Sequence, residues 1–213
     1  MKKILILGAS GLTGGHLMQL ALEHESIASV TVLVRKPLEL KHPKLKVIIS
    51  DFEHLADDES HFRVDMVFCC LGTTIKKAGS QEAFKKVDYD YPFESARLAK
   101  RQGAGFSIIT AIGADPSSVF FYSRTKGELE RELSALGLHT LHIHRPAGIE
   151  GNRAEERPLE KMANSTLNFL KPILIGPLKS IRPVHAESIA RVMLREALQG
   201  DEGIKIFESD SYQ

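Results

Sequence analysis

A tyrosine and a lysine four positions apart, Tyr122 and Lys126, are the residues of this chain best suited to proton chemistry. In an α-helix this spacing puts both side chains on one face, where the ammonium can act on the phenol. A free tyrosine has a pKa of about 10, and a neighbouring cation lowers it by stabilising the phenolate. The pair could therefore exchange a proton with a substrate oxygen, and the lysine could also hold the ribose hydroxyls of a nicotinamide nucleotide. The alternative is a packed tyrosine beside a solvated lysine, and the position of the pair in the fold decides between them.

A glycine-rich turn near the start of the chain predicts a dinucleotide site. Residues 4–7 form a continuous apolar run typical of a buried parallel strand. Three glycines follow at intervals of three, Gly8, Gly11 and Gly14. The first can take a tight turn, the second can let the backbone approach phosphates, and the third can let helix and strand pack closely. A helix begins here, and its unpaired amides and positive dipole end suit a pyrophosphate, with Ser10 and Thr13 as additional hydroxyl donors.

The end of the second predicted strand, residues 29–34, bears on the choice of dinucleotide. Sites for NAD place an acidic residue about twenty positions beyond the glycines, where it binds a ribose hydroxyl. This chain instead has Arg35, with Lys36 beside it. Because a guanidinium pairs well with the 2′-phosphate of NADP, we predict NADP(H), the alternative being two solvated cations at a strand end. Asp51, after the third strand, could meet the adenine edge or cap the next segment.

Strands and helices alternate along the rest of the chain. Further strands are predicted at residues 45–50, 64–70, 106–110, 140–145 and 204–207, and helices at 83–102, 118–136, 162–170 and 187–198. Pro92 predicts a break near Tyr91, and residues 78–82 are predicted to be a loop. The alternation predicts an α/β fold, a Rossmann-like doubly wound parallel sheet with helices on both faces and a small C-terminal substrate region. We expect a single NAD(P)-binding domain over residues 1–213, with a substrate-side insertion at about 150–183.

Composition and charge argue against several classes of function. The net charge of +1, with acids and bases interspersed, favours neither nucleic acid nor an anionic membrane as a partner. Cys69 and Cys70 are adjacent and point to opposite faces of a strand, which favours two buried thiols over a disulfide or a redox switch. His142 and His144 have no acid or thiol at ligand spacing, so no metal site is predicted. The apolar run at the N-terminus is too short for a signal peptide, and we expect a cytoplasmic protein.

Six segments, in this order, resemble a known family: Gly-Ala-Ser-Gly-Leu-Thr-Gly, Cys-Cys-Leu-Gly-Thr-Thr, Val-Asp-Tyr-Asp-Tyr, Ile-Gly-Ala-Asp, Tyr122-x-x-x-Lys126-Gly-Glu and Arg145-Pro-Ala-Gly. The family is the short-chain dehydrogenases/reductases, and most closely its atypical branch, which includes the HIV Tat-interacting protein and bacterial relatives named as sugar-nucleotide epimerases. The resemblance covers residue 4 to about residue 150. It implies NADP(H) as the cofactor, Tyr122 as proton donor or acceptor and Lys126 as its partner. It also implies a cofactor site formed by Ser10, Gly11, Leu12, Thr13, Arg35, Lys36, Leu71, Gly72, Ile149 and Arg157.

One departure from the family pattern bears on function. The serine that usually orients the substrate carbonyl near the end of the fifth strand has no clear match, and Thr110 either replaces it or faces elsewhere. The intact Tyr-Lys pair favours an NADPH-dependent reductase or dehydrogenase acting on a small-molecule carbonyl or alcohol. The missing serine favours a non-catalytic NADPH-binding regulator read by a protein partner. Sugar-nucleotide epimerisation is a third hypothesis, disfavoured because few residues follow the sixth strand. A homo-oligomer is left open.

Overall fold

The computed structural model describes residues 1–151 and 183–212. Nine strands are found in these ranges: β1 (Lys2–Leu7), β2 (Ile27–Val34), β3 (Leu45–Ile49), β4 (Met66–Cys69), β5 (Gly105–Ile109), β6 (Thr140–Arg145), β7 (Ile149–Glu150), β8 (Val184–His185) and β9 (Gly203–Glu208). Seven of them form one sheet in the order β3-β2-β1-β4-β5-β6-β9, and every neighbouring pair is parallel. The predicted Rossmann-like parallel sheet is confirmed.

Helices cover both faces of this sheet. The α-helices are α1 (Leu12–Glu23), α2 (Ile75–Ala78), α3 (Gln81–Lys85), α4 (Tyr91–Arg101), α5 (Phe121–Ala135) and α6 (Ala186–Gln199). A π-helical segment spans Lys86–Asp90, and 3₁₀ helices span Leu55–Phe62 and Ser209–Tyr212. The first core lies under α1 and α6, and the second lies under α4 and α5. The doubly wound arrangement is therefore the one predicted.

The interior strand β1, which has a strand on either side, shows why its sequence is a continuous apolar run. Ile4 and Ile6 belong to the core under α1 and α6, whereas Leu5 and Leu7 belong to the core under α4 and α5. All four side chains are buried. A strand covered on both faces has no polar side, so the alternation typical of a half-exposed strand is absent from it.

The structure differs from the sequence prediction around residues 78–82. Two short helices occupy this neighbourhood instead of a plain loop, because two hydroxyls cap their starts. The Thr74 side chain accepts a hydrogen bond from the Lys77 amide at 3.2 Å, and the Ser80 side chain accepts one from the Ala83 amide at 3.1 Å. Between them Gly79 adopts a positive φ of 86°, which ends α2.

The predicted break at Pro92 takes a different form. Helical backbone continues from α3 through the π-helical segment into α4, and Pro92 is the second residue of α4. A proline ring clashes with the carbonyl four residues before it, here that of Asp88. The wider π turn gives that carbonyl room and leaves the chain helical. The irregularity thus falls one turn earlier than Tyr91.

Helix α5 begins at Phe121, later than the predicted residue 118. Asp115 accepts hydrogen bonds from the amide and the hydroxyl of Ser117, so these residues form a turn before the helix. At the other end, Gly137 has a positive φ of 73° and stops the helix as predicted.

Most of the predicted substrate-side insertion, and the helix predicted at residues 162–170, lie outside the described residues. The two segments that flank this insertion, β7 and β8, pair with each other as a separate two-stranded parallel sheet. Among the helices of the described ranges, none is both long and apolar enough to cross a membrane.

Candidate active site

The glycine turn after β1 brings three parts of the chain into close contact. Gly8 has a φ of 81°, and a Cβ atom on it would lie 2.7 Å from the carbonyl oxygen of Cys70 at the end of β4. A Cβ atom on Gly14 would lie 2.2 Å from the carbonyl oxygen of Gly8. Real Cβ atoms cannot approach so closely, so both positions require glycine. The predicted tight turn and close packing of helix on strand are confirmed at these two residues.

The start of α1 faces a cleft at the carboxyl ends of the strands. Gly11 is the N-cap residue and has no side chain to satisfy the first amides of the helix. Ser10, Gly11, Leu12 and Thr13 line the cleft together with Gly8. The cleft has a volume of about 1110 Å³. This is the place where doubly wound sheets bind ligands, and the free amides and the helix dipole suit the phosphates of a dinucleotide.

Other predicted cofactor residues line the same cleft from neighbouring strands. Leu71 and Gly72 follow β4, Ile149 lies on β7, and Arg35 follows β2. These positions extend from the glycine turn along the carboxyl edge of the sheet. The structure therefore brings together residues that are far apart in the sequence.

A few predicted residues are not among those that line the cleft in the described ranges. Lys36 is exposed next to Arg35, and Gly14 packs beneath the turn. Asp51 uses its carboxylate to accept a hydrogen bond from the Glu53 amide at 2.8 Å, which closes a turn before the 3₁₀ helix Leu55–Phe62, whose N-cap residue is His54. Arg157 lies outside the described residues.

Two aromatic residues that the sequence analysis did not select lie on the wall of the cleft near Arg35. Phe52 and Tyr91 both line it, and their ring centroids are 5.7 Å apart. The Tyr91 hydroxyl donates to a carboxylate oxygen of Glu53 at 2.6 Å. Burial and this carboxylate raise the pKa of Tyr91, so its phenol stays protonated at neutral pH. Flat apolar surfaces of this kind suit an adenine ring.

Tyr122 and Lys126 lie at the opposite end of the cleft, both on α5. Tyr122 is in the first turn of the helix and is 41% exposed, whereas Lys126, one turn later, is 3% exposed. Both line the cleft, and the Tyr122 ring lies against the buried Phe84 ring, with 5.8 Å between centroids. The helical spacing predicted for this pair is confirmed.

Asp88 is the partner that makes burial of Lys126 tolerable. Its Oδ1 atom lies 2.7 Å from Lys126 Nζ, and the carboxylate is buried as deeply as the ammonium. Its Oδ2 atom accepts a hydrogen bond from the backbone amide of Thr73 at 2.8 Å. A buried charge is costly unless it is paired and hydrogen-bonded, and here both conditions are met.

The electrostatics of Lys126 reflect this surrounding. Burial acts to lower its pKa, but the Asp88 carboxylate and Tyr122 more than offset it, and the pKa of Lys126 lies above the usual value. At neutral pH the side chain is therefore an ammonium. Since the interaction between two titrating groups is mutual, the charge that Tyr122 stabilises on Lys126 also favours the phenolate of Tyr122.

Thr110 lines the cleft after β5, but its hydroxyl is engaged by the protein. It donates to Glu130 Oε1 at 2.5 Å and lies 3.3 Å from the carbonyl oxygen of His144. Glu130 lies one helical turn beyond Lys126 and is itself paired with Arg145, whose Nε atom is 3.0 Å from Oε2. The hydrogen bond to Glu130 raises the pKa of Arg145, so the guanidinium stays charged.

The sequence contained a signal for Asp88 that we did not use. Phe84 and Asp88 are four residues apart, so a helix would place both on one face, and Phe84 is a typical core residue. An acid on a buried helical face predicts a buried basic partner. The signals for Phe52 and Tyr91 are weaker, because only the sheet order brings these residues to the same wall.

Comparison with known proteins finds related sequences. A sequence model described as "Semialdehyde dehydrogenase, NAD binding domain" matches residues 3–87. Protein HTATIP2 of Rattus norvegicus is 38% identical over 174 residues, which are 79% of this chain and 72% of the relative. Protein FMP52, mitochondrial, of Candida albicans is 32% identical over 206 residues, which are 93% of this chain and 89% of the relative.

Solved structures show the same fold at low sequence identity. The Bordetella bronchiseptica enzyme WbmH in complex with NAD⁺ superposes with a TM-score of 0.73 and 17% identity, covering 98% of this chain and 76% of that one. MoeE5 in complex with UDP-glucose and NAD superposes with a TM-score of 0.72 and 16% sequence identity, covering 99% of this chain and 79% of that one.

Fold and cleft together define an NAD(P)-binding protein of Rossmann type. The extent and identity of the matches to HTATIP2 and FMP52 place the chain more narrowly: it belongs to the atypical short-chain dehydrogenase/reductase family that contains them. The resemblance noted in the sequence is thereby confirmed.

The expected cytoplasmic location is wrong on this comparison. The fungal relatives from Candida albicans, Aspergillus clavatus and Debaryomyces hansenii are all named as mitochondrial proteins. The expectation rested on the short apolar run at the N-terminus, and that observation addresses secretion alone.

Proposed function

We propose that the protein is an NADP(H)-dependent oxidoreductase that interconverts a carbonyl and an alcohol on a small molecule. The observation that carries this proposal is the presence of Tyr122 and Lys126 on the wall of the cleft that the glycine turn opens. A helix start that suits phosphates and a tyrosine that can exchange protons thus face the same space. This combination fits nicotinamide chemistry better than either feature alone.

The residues present fit a dinucleotide. Ser10, Gly11, Leu12 and Thr13 would hold its phosphates, while Leu71, Gly72 and Ile149 would lie along it. Phe52 and Tyr91 offer apolar surface for the adenine. When bound, the nicotinamide supplies or accepts the hydride, and Lys126 is placed to donate hydrogen bonds to ribose hydroxyls.

The preference for NADP(H) is proposed from the end of β2. Arg35 lines the cleft where NAD-preferring proteins have an acid, and Lys36 adds a second positive charge beside it. A guanidinium binds a phosphate with paired, charge-assisted hydrogen bonds. The 2′-phosphate of NADP would provide this partner, whereas NAD would leave the guanidinium facing a hydroxyl.

Tyr122 would be the proton donor in reduction and the acceptor in oxidation. In reduction, hydride reaches the carbonyl carbon while the Tyr122 hydroxyl gives its proton to the carbonyl oxygen, so an alcohol and a phenolate result. The Lys126 ammonium stabilises that phenolate. Because Tyr122 is partly exposed, solvent can return the proton and complete the cycle.

Thr110 is the remaining candidate from the sequence. Its hydroxyl proton points to Glu130, so toward a substrate it has lone pairs to offer and no donor. In this proposal Thr110 contacts the substrate by its methyl group or accepts from a substrate hydroxyl. In this proposal Tyr122 is the residue that orients the substrate carbonyl.

The engagement of the Thr110 hydroxyl by Glu130 favours a second candidate function, a non-catalytic NADPH-binding regulator. A cleft that binds the cofactor but in which the Thr110 hydroxyl is engaged by Glu130 could order a surface for a protein partner without turnover. The two candidates share the cofactor and differ in whether the nicotinamide is consumed.

The test is NADPH oxidation, followed by absorbance, against quinones, aldehydes, ketones and sugar nucleotides, with wild type and Tyr122→Phe side by side. Both proteins are first shown to bind NADPH by calorimetry. Turnover by wild type that falls about a hundredfold or more in the variant supports the oxidoreductase. Tight NADPH binding without turnover on any compound favours the regulator, and conversion of a sugar nucleotide without net NADPH oxidation would point to epimerisation.

A further inference from the structure

Asp88 is a buried acid that the proposed reaction does not itself consume. It lies in the π-helical segment Lys86–Asp90, at the point where Pro92 requires a wider turn. The segment faces α5, and Asp88 is 1% exposed. Segments with π geometry often occur at functional sites, because they aim a side chain that a regular helix would place elsewhere.

Asp88 joins three separate parts of the cleft wall. One carboxylate oxygen contacts the Lys126 ammonium on α5 at 2.7 Å. The other accepts a hydrogen bond from the Thr73 amide at 2.8 Å, in the loop that carries Leu71 and Gly72. A Cβ atom built on Gly72 would itself lie 3.7 Å from Oδ1, so the loop backbone passes close to the carboxylate. Both carboxylate oxygens are thus engaged by groups of the protein.

The charges around Lys126 show what Asp88 contributes. Within residues 1–151 and 183–212, the titratable groups that act on Lys126 are Asp88 from the π-helical segment, Tyr122 from α5 and Cys69 from β4. Burial raises the pKa of the Cys69 thiol to about 12, so this group is neutral at physiological pH. Tyr122 is the group that exchanges its proton in the proposed reaction. Asp88 is the one carboxylate among these three neighbours.

We propose that Asp88 is a positioning residue. It holds Lys126 charged and in place on the wall of the cleft, and it ties Lys126 to the loop of residues 71–74. This inference rests on the proposed function, since it concerns the two groups that would exchange the proton. Without Asp88, the buried ammonium would keep its desolvation cost and lose its counter-ion. The amine would then release its proton, and Tyr122 would lose the cation beside it.

A titration of tyrosine by near-ultraviolet absorbance tests this without substrate or cofactor. The chain has four tyrosines, and burial raises the pKa of Tyr89, Tyr91 and Tyr212. The first tyrosinate to form on raising the pH should therefore belong to Tyr122, and Tyr122→Phe should remove it. Asp88→Asn should move this first midpoint upward by about one pH unit or more, because Lys126 then releases its proton and no longer stabilises the Tyr122 phenolate.

Matched variants separate positioning from general damage. Asp90→Asn removes an exposed acid two residues away and should leave the Tyr122 midpoint within a few tenths of a unit. Asp88→Glu restores a carboxylate and should return the midpoint toward that of wild type. A midpoint that stays fixed or falls in Asp88→Asn would overturn the proposal, because Lys126 would then be charged without Asp88.

A second pair of variants covers the case in which Asp88→Asn alone does not fold. Lys126→Met combined with Asp88→Asn removes both charges of this buried pair, and such neutral replacements are often well tolerated. Its Tyr122 midpoint should lie above that of wild type and match that of Lys126→Met alone. A midpoint in the double variant that differs from Lys126→Met by a full unit would contradict action through Lys126.

Where turnover is found, its pH profile gives an independent reading. Asp88→Asn should retain more of its activity at mildly acidic pH than at alkaline pH, because its Lys126 loses the proton as the pH rises. A purely structural role would lower activity equally across the range and would overturn the proposal. If no substrate is turned over, the tyrosine titration still decides, so failure of the proposed function and failure of this inference are distinguishable.

Discussion

The two ends of the cleft both carry a cation, and the two cations are held in opposite ways. Lys126, at the α5 end, is buried and contacts a buried carboxylate at 2.7 Å. Arg35, at the β2 end, is exposed and follows the last residue of its strand. The first cation is part of the protein interior, whereas the second is a solvated group on the rim.

This difference teaches what each end can do. A buried charge interacts strongly with its neighbours because little water screens it, so Lys126 can alter the proton affinity of Tyr122. An exposed guanidinium has little effect on the fold but is free to meet a phosphate that arrives with a ligand. We expect the α5 end to determine chemistry and stability together, and the β2 end to determine cofactor preference alone.

The largest expected effect comes from Lys126→Met. Removing the cation should lower turnover by about a hundredfold to ten-thousandfold, the range typical of assisted proton transfer. It also leaves Asp88 buried and unpaired, which should cost about 3–5 kcal/mol of stability. Turnover is measured by NADPH oxidation, and stability by urea denaturation. A variant that loses turnover while keeping full stability would break the comparison, because Lys126 would then not belong to the interior.

The next effect is on cofactor preference, through Arg35→Ala. NADPH affinity should fall roughly ten- to a hundredfold with the loss of a charge-assisted contact, while NADH affinity changes little. Calorimetric titration of both cofactors measures this, with Lys36→Ala as the matched control and a smaller expected effect. Equal losses for NADPH and NADH would show that Arg35 does not recognise the 2′-phosphate.

The smallest effect is expected at Glu130, the buried acid of α5. Glu130→Gln weakens the contacts to Thr110 and Arg145 but leaves a hydrogen-bonding group in place, so stability should fall by about 1–3 kcal/mol. NADPH affinity should stay unchanged, since Glu130 does not line the main cleft among the described residues. Urea denaturation and calorimetry measure the two quantities, and Glu128→Gln on the same helix is the control. A large loss of NADPH affinity would mean that this acid supports the cofactor site directly.

Local sequence patterns predicted the framework well. The apolar run of β1 and the glycines after it predicted a strand, a tight turn and a helix start, and Gly8 and Gly14 are in the contacts that require glycine. The spacing of Tyr122 and Lys126 predicted that they share one helical face. Both predictions depend only on residues that are a few positions apart in the sequence.

The parts that sequence did not predict depend on long-range contacts. The pairing of Asp88 with Lys126 joins residues from two helical segments. Asp88 lies in a π turn, and Pro92, four residues after Asp88, is the residue that favours this wider turn. The engagement of Thr110 by Glu130 also depends on tertiary packing. In both cases the residue types were visible, but the partner was not, because side-chain pairing across elements is determined by the packing of the sheet and helices.

Transfer of deuterium from NADPH labelled at the reactive C4 position is the most direct test of the central claim. Wild type is incubated with labelled NADPH and the best carbonyl compound, and the product is analysed by mass spectrometry beside that of Tyr122→Phe. We predict one deuterium on the new alcohol carbon in wild type, and product formation at least about a hundredfold slower in the variant. Absence of deuterium from the wild-type product, or equal rates in the two proteins, would contradict the assignment of this cleft as a Tyr122-dependent hydride-transfer site.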